Sequence, residues 1–363
     1  METASTDRWW FKPSLLSLTS GGLLWLAFPP LGLAPLAWFA LIPLLVLVLS
    51  PTMPASRWRW YLAIWLTWTI HWLLMVEGVR HAHWTIYFGW LVLSCYLAVY
   101  MVLFVGLTRV ALHRCRWPLI LAAPLVWTGL ELARGYALSG FSLGLLAHTQ
   151  VKISGLIQLA DVTGAYGISF LIVLVNSALA QAHCAPGRSS HSRQQILRGW
   201  ATAILTVALM WGYGALASRD SSSHDDGDSC QIALLQAAID TTYAGDDNQS
   251  RRMHEDYRRI SIEARQQYPE LDLIVWPESM FPFGPEVIHQ GDPVVPAELA
   301  IDKAEFVERV AAYQLYFQAA VDDLAGTING PGRDQPGVQF LLGTDVQKVD
   351  TPRTTRYNAG LLI

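Results

Sequence analysis

Residues 271–278 read Leu-Asp-Leu-Ile-Val-Trp-Pro-Glu, an apolar stretch that ends in a proline and a carboxylate. A short apolar run with β-branched residues, closed by a proline, predicts a buried β-strand that stops at Pro277. In sheets that alternate with helices, functional side chains gather where the strands end. The stretch therefore predicts a strand of an α/β sheet with Glu278 at its edge, a position that suits a catalytic base.

The sequence on both sides of this strand continues the α/β pattern. Residues 251–267 and 303–324 carry apolar side chains at helical spacing. Further apolar runs of strand length lie at residues 230–236, 338–343 and 356–363. Strands that alternate with helices imply an α/β layer with β-α-β units. Residues 230–363 are therefore predicted to form an α/β domain.

The first part of the chain has a different composition. It contains every tryptophan except Trp276 and few acidic residues, whereas acidic residues outnumber basic ones after Ser218. Residues 218–229, with the sequence SRDSSSHDDGDS, are polar and lack periodicity. We therefore predict a membrane domain at residues 1–217, a linker at 218–229 and the α/β domain at 230–363.

Seven apolar stretches of the first part have the length of a membrane span, which takes about 20 residues of helix. They cover residues 9–28, 31–49, 58–76, 84–107, 117–133, 162–182 and 199–217. Lysine and arginine of short connections are retained on the cytoplasmic side. Because they are concentrated near the N-terminus and in alternate connections, the N-terminus is predicted to be cytoplasmic and the α/β domain external.

Two charged residues, Glu131 and Arg134, lie in or beside the fifth stretch. Three residues apart on a helix, they share a face and can pair. Because a charge inside a membrane is costly, a structural pair is the favoured interpretation, and a contact with a lipid headgroup is the alternative.

The chain contains the four cysteines Cys95, Cys115, Cys184 and Cys230. They form neither a Cys-x-x-Cys motif nor a zinc spacing, and His81 and His83 lack an evident third ligand. No disulfide framework, metal ion or cofactor is therefore expected.

Several motifs together resemble one family. In the first part these motifs are Phe28-Pro29-Pro30-Leu31-Gly32, Ala123-Pro124-Leu125-Val126-Trp127, Ser139-Gly140-Phe141, His148-Thr149-Gln150, Gln158-Leu159-Ala160-Asp161 and Gly164-Ala165-Tyr166-Gly167. With Glu131 and Arg134, they are similar to the membrane domain of bacterial apolipoprotein N-acyltransferases. Residues 232–236, Trp276-Pro277-Glu278 and Tyr357-Asn358 resemble the opening of the nitrilase-type domain of that family.

The resemblance implies both a fold and an activity. The fold is a multi-span α-helical membrane domain followed by an incomplete α/β domain, a nitrilase-like α-β-β-α sandwich. The activity is that of a bacterial inner-membrane enzyme, which transfers an acyl chain from a phospholipid to the diacylglyceryl-cysteine of an apolipoprotein through a cysteine thioester. The expected partners are the phospholipid donor, the diacylated apolipoprotein acceptor and the lipid bilayer, and nucleic acid is not among them.

The family works with a Glu-Lys-Cys triad, of which only the glutamate carries over, onto Glu278. The family's lysine follows the Tyr-Asn strand, so Lys348, which precedes Tyr357, does not match it. The resemblance thus predicts a piece of a longer or split reading frame, without acyltransferase turnover alone. The alternatives are a non-catalytic membrane anchor or a lipid-binding scaffold with a degenerate outer domain. For Glu278 itself, the alternative is a structural role, because Pro-Glu often begins a turn or a helix.

Overall fold

The computed structural model describes residues 11–51, 56–81, 84–184, 193–222, 229–237, 247–278, 280–281, 283, 286–289, 292–297, 299–330, 337–349, 353 and 355–363. The chain divides into two compact units, residues 1–226 (unit 1) and 227–363 (unit 2). Buried apolar side chains form a core within each unit.

Unit 1 is helical. Its α-helices are α1 (Phe11–Ala27), α2 (Ile42–Leu49), α3 (Arg57–Met75), α4 (Ile86–Arg109), α5 (Leu119–Tyr136), α6 (Ser154–Ile157), α7 (Ala160–Cys184) and α8 (Arg193–Ser222). Three segments of the described residues, Ile86–Arg114, Ala160–His183 and Arg193–Ser218, are long and apolar enough to cross a membrane. Helix α8 also includes residues 218–222, which were assigned above to the linker.

The second predicted span, residues 31–49, is not a continuous helix. It consists of a 3-10 helix, Ala34–Trp38, and of α2, which has 8 residues and is therefore about 12 Å long. A proline near the start of each piece removes a backbone donor and favours the break. Counting apolar residues cannot detect such a break, because the two pieces are as apolar as one helix.

The described residues of unit 2 form a mixed sheet of five strands: β1 (Ile232–Leu234), β2 (Leu273–Val275), β3 (Glu286–Ile288), β4 (Gln339–Lys348) and β5 (Thr355–Leu362). The strand order is β1-β2-β4-β3 with parallel pairs, and β5 lies antiparallel to β4. Four of the strands overlap the predicted ones, and β3, of three residues, was not predicted. β1 and β2 are equally short but lie within longer apolar runs, whereas residues 286–288 read Glu-Val-Ile, which is shorter than the apolar run of about four to eight residues that indicates a buried strand.

Two helices, α9 (Asp247–Gln267) and α10 (Lys303–Asn329), share the core of unit 2 with the sheet. Tyr257 of α9 and Phe317 of α10 belong to the same buried cluster as Ile274 of β2 and Phe340 of β4. Asp302 caps the N-terminus of α10: its side chain accepts a hydrogen bond from the backbone N–H of Glu305 at 2.8 Å. The structure thus has the alternation of strands and helices that the sequence predicts for this part.

Candidate functional site

Glu278 lies just beyond the carboxyl end of β2, and its side chain is exposed. Trp276, two residues before it, is held by the sheet: its backbone N–H donates to the carbonyl of Leu341 at 2.9 Å. The buried Trp276 ring donates from Nε1 to the hydroxyl of Ser261 at 3.0 Å. These two hydrogen bonds hold the chain at Trp276, immediately before Pro277 and Glu278.

Asn358 of β5 is the hydrogen-bond partner of Glu278. Its Nδ2 donates to Oε1 of Glu278 at 2.5 Å, across 80 residues of sequence. The Trp-Pro-Glu and Tyr-Asn motifs therefore meet in space. Both motifs are visible in the sequence, but nothing local to residue 358 indicates that Glu278 is the partner of Asn358.

Gly343 of β4 lies directly against the backbone that carries Glu278. A Cβ atom at this position would be 2.1 Å from the carbonyl oxygen of Pro277 and 2.6 Å from Cα of Glu278. The carbonyl of Gly343 also accepts from the backbone N–H of Phe281 at 3.1 Å. A glycine inside a strand often marks such a close approach of two backbones, which was the available signal in the sequence.

Aromatic side chains and one histidine adjoin the Trp-Pro-Glu segment. The ring of His254 lies 4.6 Å from that of Phe283 and 6.1 Å from that of Trp276, measured between centroids. Burial, and then the charge of Arg258, lower the pKa of His254, which favours the neutral imidazole. His254 was not predicted from the sequence, since a lone histidine on a helix carries no distinctive pattern.

The site has no metal-binding character within the described part of the chain. There, no group of three or more His, Cys, Asp or Glu side chains is arranged to hold a metal ion. The Glu278 carboxylate, which accepts the hydrogen bond of Asn358, is a group that can accept and return a proton.

In unit 1, Glu131 and Arg134 are both buried. Oε1 of Glu131 accepts hydrogen bonds from Nε1 of Trp127 at 2.9 Å and from the backbone N–H of Leu146 at 2.8 Å. Nη2 of Arg134 donates to the carbonyls of Leu143 and Gly144 at 3.2 and 3.3 Å.

The two charges therefore hold the same segment, residues 143–146, through separate partners. The guanidinium of Arg134 also lies 5.1 Å from the centre of the Trp72 ring, a cation–π arrangement. The predicted pair thus lies buried inside the helical unit, where these hydrogen bonds link Glu131 to Trp127 and Leu146, and Arg134 to the carbonyls of Leu143 and Gly144.

Comparisons with known proteins give one family. Residues 20–178 match the model of the apolipoprotein N-acyltransferase N-terminal domain. The apolipoprotein N-acyltransferase of Rhodopirellula baltica is 34% identical over 288 residues, which cover 76% of this chain and 49% of that protein.

Two further relatives give similar values. The apolipoprotein N-acyltransferase of Geobacter metallireducens is 32% identical over 274 residues, 74% of this chain and 51% of that protein. That of Chlorobaculum tepidum is 29% identical over 280 residues, 75% of this chain and 50% of that protein. The chain thus spans about half the length of the curated relatives it matches.

Proposed function

Because the chain belongs to the apolipoprotein N-acyltransferase family, we propose that Glu278 is the general base of a phospholipid:apolipoprotein N-acyltransferase. The observation that carries the proposal is the position of the Glu278 carboxylate. It is exposed beyond the end of β2 and accepts a hydrogen bond from the side-chain amide of Asn358. The amide orients the carboxylate through one of its oxygens, and the carboxylate exchanges the proton.

In the first half-reaction, Glu278 takes the proton of a cysteine thiol, and the thiolate attacks the ester carbonyl of a phospholipid. The ester C–O bond breaks, and the proton passes from Glu278 to the departing oxygen, which leaves an acyl thioester and a lysophospholipid. A thiol with a pKa of about 8.5 requires such a base to react at neutral pH. We assign neither this nucleophile nor the family's lysine to a residue of this chain.

In the second half-reaction, the α-amino group of a diacylglyceryl-cysteine attacks the thioester carbonyl. Glu278 accepts the amine proton and returns it to the departing thiolate, so that an amide and a free thiol result. The carboxylate is thus used in both directions of proton transfer, as a base and then as an acid.

Unit 1 supplies the membrane location in this proposal. The chain lies in the bacterial inner membrane through its apolar helices, with a cytoplasmic N-terminus and an external unit 2. The apolar helices and the asymmetry of arginine support this arrangement. The phospholipid donor is then available from the bilayer, and the acceptor is a lipoprotein whose own acyl chains hold it at the same surface.

The test uses the complete reading frame that contains this chain, in liposomes with phosphatidylethanolamine and a diacylated lipopeptide. We expect Glu278→Gln to lower acyl-thioester formation by about 10²- to 10⁴-fold, the usual value of general acid–base catalysis. Mass spectrometry of the trapped thioester measures the change.

Glu270→Gln is the matched control, because it neutralises an exposed carboxylate in the same unit, near the start of β2. It is expected to acylate at the wild-type rate. Thioester formation by Glu278→Gln at a near wild-type rate would show that Glu278 is structural and that the mechanism is wrong.

A further inference from the structure

An apolar groove runs between α7, α8 and the segment that holds the 3-10 helix Ala34–Trp38. Its volume is about 410 Å³. Its lining side chains are apolar and include Trp38, Phe39, Leu179, Trp200, Ala203 and Val207. A cavity of roughly 150 Å³ already admits a molecule as large as benzene, so the groove is large enough for part of a ligand.

The helix that forms one wall of the groove is exposed to an unusual degree. Helix α8 contains one of the segments that are long and apolar enough to cross a membrane. Only 17% of the residues in the most apolar part of this segment are buried. Ile204, Leu205 and Leu209 expose 59 to 66% of their surface. An apolar helix surface of this kind faces lipid when the chain lies in a bilayer.

From this geometry we propose that the groove binds one acyl chain of a bilayer phospholipid. Water is a poor occupant, because it requires two to four polar partners and the lining offers apolar side chains. An empty groove would forfeit the dispersion contacts that close packing provides. A hydrocarbon chain satisfies both conditions, and each methylene that enters it removes apolar surface from other surroundings.

One end of the groove has the features of a membrane interface. Nε1 of Trp200 donates to Nε2 of His183 at 3.1 Å, close to where α7 ends and α8 begins. Arg198 lies two residues from Trp200. Tryptophan and arginine at helix ends mark the level of lipid headgroups. From Trp200 to Ala208 the groove follows α8 for about 12 Å, so the acyl chain lies within one leaflet.

Close helix contacts on both sides fix the position of α8 along the groove. A Cβ atom at Gly199 would lie 2.6 Å from Cβ of Ala182, and one at Gly214 would lie 2.0 Å from the carbonyl oxygen of Gly155. Small residues allow this approach of membrane helices. Residues 200–208 lie between the two contacts, so the groove is a preformed feature of the helix packing.

The test labels the full chain in liposomes with a phosphatidylethanolamine that carries a diazirine in its acyl chain. After photolysis, we expect cross-links at Ala203 and Val207 in preference to Leu205 and Leu209. Val207→Trp fills the groove and should lower labelling there about tenfold, which corresponds to the loss of roughly two buried methylenes. Val207→Phe is the milder change if the tryptophan variant does not fold.

Leu205→Trp is the matched control, since it adds the same side chain to the exposed face of the same helix, and it should leave groove labelling unchanged. The proposal would be overturned if the groove residues and the exposed residues were labelled equally and if neither Val207→Trp nor Val207→Phe changed the labelling. Disulfide cross-linking of Val207→Cys between two copies of the chain would also overturn it, because a second copy would then occupy the groove. Labelling of the membrane unit requires no turnover, so its outcome does not depend on the proposed acyl transfer.

Discussion

Gly343 lies in close contact with the backbone under Glu278. Its neighbours at close range are backbone atoms of Pro277 and Glu278, which cannot rotate away as a flexible side chain can. Its partner across β4 and β5 is Gly360, where an added Cβ atom would meet only the end of the Leu341 side chain, at 3.2 Å. The two glycines occupy the same rung of the sheet, but only one supports the site.

We therefore expect Gly343→Ala to displace residues 276–281 and to lower the free energy of unfolding of unit 2 by about 1 to 3 kcal/mol, the usual cost of overpacking. Gly360→Ala, the control, should cost less than about 1 kcal/mol. Hydrogen–deuterium exchange of the peptide that covers residues 271–281 measures the difference. Equal protection of this peptide in both variants would contradict the close contact.

Among the elements, the broken second span shows how the helical unit satisfies backbone groups where a helix stops. Oδ1 of Asn176, in α7, accepts from the backbone N–H of Leu41 at 2.9 Å, and its Nδ2 donates to the carbonyl of Ala37 at 2.9 Å. The hydroxyl of Ser20, in α1, accepts from the N–H of Leu44 at 3.0 Å. In an apolar environment, such side chains replace the water that would otherwise bond to these groups.

Asn176→Ala should therefore destabilise the helical unit by about 1 to 3 kcal/mol, because it leaves a buried N–H and a buried carbonyl without a partner. Ser177→Ala is the matched control: Ser177 is equally buried, but among the described residues its hydroxyl bonds to the carbonyl of Val173 in its own helix and not to the second span. The midpoint of thermal unfolding in detergent measures both. A similar decrease in the two variants would mean that the Asn176 bonds to the second span contribute little.

For the whole molecule, the distribution of arginine predicts how the chain lies in the membrane. We expect alkaline phosphatase fused after Arg116 or Arg193 to be inactive, since both positions belong to cytoplasmic connections, and a fusion after Asp228 to be active. Enzyme activity in whole cells measures each fusion, and an in-frame cytoplasmic reporter at the same sites is the control. Phosphatase activity at Arg116 or Arg193, or none at Asp228, would refute the predicted orientation.

The sequence alone determined the features that depend on near neighbours. Apolar stretches of known length predicted helices of the first part, except that residues 31–49 form two short pieces, and the run before Pro277 predicted β2, because burial and proline act over a few residues. The tertiary structure decided which distant groups meet. Asn358 and Glu278 are 80 residues apart, and Asn176 bonds to Leu41 across 135 residues. Such contacts depend on how whole elements pack, so no local pattern at either residue could reveal them.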